Sequence, residues 1–303
     1  MVVEQATQSQ EEQNGEQKKG LAKAKEAILC ALDENGNGEL DAEDIIIKSL
    51  RVPGVTISRD DYLRKQLKSH YPEEVIELAI SQNPMLAGIP VAEIDKLAEE
   101  SIALERTMVS GISTALGMPG GVAMIATIPA DIVQYYGYLL RATQKLLYLY
   151  GFPQINLEEE GSKFDDATLN ALILCMGVMY GAAGATNGLI KLASALGVGI
   201  EKQLIRKPLT KGLVYPIVKH ISIKWLNKHM NKEIFAGIVK KAIPIVGGVV
   251  GGAVTFVSFQ LCCEKLKAVL CDTILSNPDY KPVMQGDIIV EELPNDESGE
   301  NQE

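Results

Sequence analysis

Three stretches of this chain carry no charged side chain, and glycine or proline punctuates each: Thr107 to Ala130, Ala167 to Ile190 and Ala242 to Cys263. Each reaches the length of roughly 20 residues that an apolar helix needs to cross a bilayer. The segments around them are strongly charged. Three destinations are therefore open to the runs: true membrane spans, reversible insertion, or the core of a soluble helical body. Pro119-Gly120-Gly121 and Pro129 break the first run. The third carries Gly247/Gly251 and Gly248/Gly252, small residues four apart that let two helices approach closely. With helical periodicity in the segments between them, the runs predict an all-α fold, a helical bundle with glycine-rich apolar helices.

The first run leads into the clearest helix of the chain. Asp131, Gln134, Tyr138, Arg141 and Lys145 recur three or four residues apart and so share one face. Ile132, Val133, Leu139, Leu140, Leu146, Leu147 and Leu149 supply the apolar side. Pro129 with Asp131 suits the start, and Gly151 with Pro153 the stop. The polar stripe reads either as the lining of a site or a headgroup-facing surface, or as a face whose Asp131 and Arg141 are tied into neighbouring helices.

Pro119-Gly120-Gly121, Ile128-Pro129-Ala130-Asp131-Ile132, Gln144-Lys145-Leu146 and Leu149-Tyr150-Gly151, followed late in the chain by the run from Ile243 to Gly252, resemble the signature of the EcsC family. The likeness covers about Glu100 to Asp272. It implies a bacterial helical protein in the company of an ABC transporter operon that affects protein secretion. It implies no reaction. Some relatives carry a vinyl-reductase label, but this chain has no nicotinamide or flavin motif.

A different motif lies near the N-terminus. Leu21, Ala24, Ala27, Ile28, Ala31 and Leu32 recur at helical spacing and run into Asp33-Glu34-Asn35-Gly36-Asn37-Gly38-Glu39-Leu40-Asp41-Ala42-Glu43-Asp44. This matches an EF-hand loop at every position but the last. Asp33, Asn35 and Asn37 stand at the first three ligand positions. Gly38 permits the sharp turn, Glu39 offers its carbonyl, and Asp41 can act through a water. An exit helix follows from Ala42 to Leu50. Position twelve is Asp44 instead of glutamate, one methylene shorter, so bidentate binding is harder and selectivity for calcium over magnesium weaker. With Asn35 and Asn37 neutral, the expected affinity is on the order of 10⁻⁵ to 10⁻⁴ M. The ligands are thus Asp33, Asn35, Asn37, Glu39 and Asp44, the ion Ca2+ with Mg2+ as the second candidate. The bland alternative is an Asn/Gly-rich turn that caps a helix without metal. A lone hand either pairs with a second copy, giving a homodimer, or rests against its own chain.

Composition and order complete the plan. A net charge of −10 argues against a general nucleic-acid binder. The N-terminus lacks the basic and apolar regions of a signal peptide. The five cysteines show no zinc spacing and read as reduced core thiols, with adjacent Cys262 and Cys263 also weighed as a lipidation or redox site. Val52 to Ile57 reads as an extended link, and Ser58 as the cap of a helix from Arg59 to Ser69. Further helices are expected over Pro72 to Ser81 and Val91 to Arg106. Residues 1–19 are expected to be a disordered tail, 20–100 an EF-hand-like region, 101–286 an EcsC-like helical domain and 287–303 an acidic disordered tail. Ten lysines and arginines against one glutamate lie between Lys202 and Lys241. Within this belt Lys219, Lys224, Trp225, Lys228 and Lys232 fit contact with an anionic membrane surface.

The leading functional expectation is a non-enzymatic, calcium-binding protein, cytoplasmic and peripherally membrane-associated, partnered by an anionic membrane surface or a membrane protein. One rival is an enzyme acting on an apolar or lipid substrate, with Asp131 as acid/base and Arg141 as anion holder. The other is an effector that inserts glycine-rich helices into membranes.

Overall fold

The computed structural model describes residues 26, 29–34, 36, 42–116, 123–155, 166–197, 244–277 and 279–280. Both expected tails, loop positions 35 and 37–41, the Pro119-Gly120-Gly121 break and the basic belt lie outside the described residues. Among those described, every regular element is a helix. They are α1 (Ala42–Leu50), α2 (Arg59–Leu67), α3 (Glu73–Ser81), α4 (Val91–Leu116), α5 (Ala123–Leu149), α6 (Asp166–Tyr180), α7 (Ala185–Gly197) and α8 (Pro244–Leu270).

Local chemistry explains several of the ends. Ser58 accepts the N–H of Asp61 and caps α2, whose first turn carries Asp60 and Asp61 at the positive end of the dipole. Gly151, at φ 89°, ends α5 in the left-handed conformation, and Phe152 N–H returns to Leu147 O at 2.9 Å. A β-carbon at Gly151 would stand 2.8 Å from Leu275 O, so space as well as conformation requires glycine there. Pro244 opens α8, where its missing N–H is no loss.

Two expectations need correction, and one open reading narrows. α5 starts at Ala123, not at Pro129–Asp131. The proline ring holds φ near −65°, which a helix accepts, and the apolar residues before it continue the turn. The link from Val52 opens with a tight turn closed by Val55 N–H to Val52 O at 3.1 Å, with Gly54 at φ 83°, and then runs on to Ile57. The run from Ala167 to Ile190 divides into α6 and α7 at a turn where Gly181 and Gly184 adopt φ 70° and 82°. α6 has 15 residues, about 22 Å at 1.5 Å per residue, and falls short of a bilayer. Among the described residues no helix is long and apolar enough to cross a membrane.

One hydrophobic core takes residues from all eight helices, from Leu32 to Leu275. α5 is its axis. From Leu139 to Tyr150 every residue except Arg141 is buried, the polar Thr143, Gln144 and Lys145 included. α4 runs unbroken through Glu100 and lies antiparallel to α8: Glu99 pairs with Lys267 at 2.7 Å, and Arg106 Nη1 donates to Gln260 Oε1 at 2.6 Å. The buried Arg59 guanidinium fastens α2 to its neighbours by donating to the carbonyls of Phe152, Ile80, Ala79 and Gln82.

Candidate functional site

The acidic loop begins where a helical turn ends, Asp33 N–H donating to Leu29 O at 2.9 Å. Gly36, at φ 70°, turns back so that its N–H meets Asp33 Oδ1 at 2.7 Å. Asp44, in the first turn of α1 and 1% exposed, accepts the N–H of Glu34 on Oδ1 at 3.0 Å. The carboxylates at the first and twelfth positions therefore both lean on the opening of the loop. Glu34 reaches along α1 to Lys48 Nζ at 2.7 Å and to Arg51. The hydrogen bond from Lys48 holds its carboxyl below the ordinary value of 4.5. Sequence reasoning gave Glu34 no role, yet it fastens the loop to the exit helix.

Asp33 and Asp44 are hard oxygen donors, which suit calcium or magnesium. Asn35, Asn37 and Glu39 lie outside the described residues. Among those described, no group of three or more His, Cys, Asp or Glu side chains is placed to hold an ion.

The polar stripe of α5 divides. Its C-terminal part enters a buried charge cluster. Glu105 of α4 is fully buried and receives Lys145 Nζ at 2.6 Å and Arg141 Nε at 3.1 Å. Lys145 also lies 5.7 Å above the Tyr62 ring, whose hydroxyl meets Ser101 Oγ at 2.7 Å. Burial raises the Tyr62 pKa and keeps this phenol neutral. Gln144 reads the turn after α1, accepting Ile57 N–H at 3.0 Å and donating to Val55 O at 2.9 Å. Arg141 Nη1 donates to Gly54 O. This much of the stripe is tied into its neighbours.

The other part faces a half-open cleft of about 380 Å³. Val52, Pro53, Gly54 and Val55 form one wall, and Met108 and Ile112 of α4 a second. Val133, Gln134, Gly137, Tyr138 and Arg141 of α5 form the third. Gly137 brings the walls together: a β-carbon there would stand 3.1 Å from Val55 Cγ2. Asp131 is not among the lining residues. Ten residues before Arg141, it sits about 15 Å away along the helix axis. The acid/base and the anion holder of the enzyme reading are therefore not brought into one site.

Two further features bear on function. On the antiparallel register set by Glu99–Lys267 and Arg106–Gln260, Leu104 and Leu261, and Met108 and Val257, lie within about one residue of the same level, and all four are exposed. The arginine between them stacks on Phe256, 4.0 Å from the ring centre. Cys262 and Cys263 are buried, and burial raises both thiols, which disfavours the thiolate that redox chemistry or lipidation needs. Lys219, Lys224, Trp225, Lys228 and Lys232 lie outside the described residues. A scan of the chain against protein-family models finds no match, and searches of curated proteins and of solved structures likewise find none.

Proposed function

We propose that this chain is a non-enzymatic, divalent-cation-binding protein that works at the cytoplasmic face of a membrane. Asp33, Asn35, Asn37, the carbonyl of Glu39 and Asp44 hold the ion, which supplies a positive centre that draws the loop closed. The observation that carries this reading is the pair of backbone bonds at the loop's opening, Gly36 N–H to Asp33 and Glu34 N–H to Asp44. They bring side chains eleven residues apart to one end of the loop before any ion is considered. Membrane association draws its support from the exposed apolar levels Leu104/Leu261 and Met108/Val257 and from the basic belt around Trp225. An EcsC-like role beside a membrane transporter agrees with both.

Flotation of the full chain with anionic vesicles, with calcium and with chelator, tests the reading. Calcium is expected to increase the floating fraction. Exchange of Lys224, Lys228 and Lys232 for glutamate is expected to abolish flotation. Absence of heat in a calcium or magnesium titration, together with no flotation in either buffer, would overturn it.

A further inference from the structure

We infer that the cleft between α4, α5 and the 52–55 turn is a binding site for a single-chain amphiphile with one carboxylate head. Three polar groups of α5 line it at helical spacing: the Gln134 amide, the Tyr138 hydroxyl and the Arg141 guanidinium. Gln134 and Tyr138 make no side-chain hydrogen bond with a described residue, and Arg141, also on the lining, holds Glu105 through Nε and Gly54 O through Nη1. Charge selects the head. Glu105 is one negative charge shared by Lys145 and Arg141, so the cluster carries a net positive charge at the cleft wall. An arginine held in place by two other contacts is preorganised to meet a carboxylate. The Val52, Val55, Ile112 and Val133 side chains offer the rest of the ligand an apolar wall, and the volume lies within the range of small-molecule clefts. Among the described lining residues there is no Ser, Cys, His, Lys, Asp or Glu side chain. The inference does not rest on the cation loop, and its test needs no metal.

Titration calorimetry of the full chain with decanoate and decyltrimethylammonium below their micelle concentrations, and with decanol below its solubility limit, tests it. Decanoate is expected to bind one per chain. Decanol should bind about tenfold weaker, the scale of one lost charge-assisted hydrogen bond, and the cation not measurably. Ile112→Phe fills the cleft without touching the charge cluster and should weaken decanoate at least about tenfold. Tyr138→Phe should weaken it by a smaller factor. Arg141→Gln should erase the preference for decanoate over decanol; if that variant does not fold, Ile112→Phe decides. Equal binding of all three heads, decanoate affinity unchanged by Ile112→Phe, or binding seen only with phosphatidylglycerol vesicles would each overturn the assignment.

Discussion

Two glutamates in this molecule are each held by a lysine and an arginine about one helical turn apart, and they behave as different objects. Glu34 meets Lys48 and Arg51, whose side chains are 40% and 39% exposed. Glu105 meets Lys145 and Arg141, with the carboxylate fully buried and the lysine 7% exposed. The charges are the same and the surroundings differ. Water screens the first group, so it can loosen and re-form at little cost. The second sits where an unpaired charge is heavily penalised, so it locks α4 to α5 and fixes the direction of Arg141. A water-screened clasp and a rigid wall are thus built from one set of side chains.

The largest effect expected from breaking this contrast is at Glu105. Glu105→Gln leaves two cations facing a neutral amide in the core and should destabilise the fold by about 3–5 kcal/mol, read as a drop in denaturant midpoint that salt does not restore. A loss under about 1 kcal/mol would place Glu105 with the surface pairs. Adding Lys145→Met to Glu105→Gln sharpens the point. It removes the buried cation with its partner, while Arg141 keeps Gly54 O and its path to water. Much of the loss should return, and additive losses would mean the cluster is not a coupled unit.

The smallest effect is expected at Glu34. Glu34→Gln should cost less than about 1 kcal/mol, and the difference should shrink as sodium chloride is raised. Its pH dependence follows from a carboxyl held below 4.5 in the fold by Lys48. The contribution is complete above the unfolded value and is lost as pH falls through the lower, folded one. Wild type and variant should therefore differ in stability at pH 7 and converge in acid. A difference that grew in acid would reverse the assignment.

Helix positions were largely legible because capping and punctuation act locally. Ser58 before two aspartates marked the start of α2, and Gly151 before Pro153 marked the end of α5. Pro129 misled because a proline signals a helix start only statistically, and the residues before it decide whether the helix continues. At the loop, the turn at Gly36 was legible from its Asn/Gly pattern, and the buried seat of Asp44 was not. The cleft was only half legible: Gln134, Tyr138 and Arg141 stood out as one face, but nothing local said that Val52 to Val55 and Ile112 would close over them. Glu105 was hidden as the last acid before an uncharged run.

The sequence by itself determined the class of fold, the start of the acidic loop at Asp33, and the polar face of α5. Each depends on contacts within a few residues, where spacing translates directly into position. Tertiary structure alone decided which charges are buried. Burial joins residues as distant as Glu105 and Arg141, or Gln144 and Val55, and its energetic weight comes from the exclusion of water, which no spacing along the chain encodes. It also decided that one face of one helix should serve two ends, its C-terminal part as an internal clamp and its N-terminal part as the wall of a cleft.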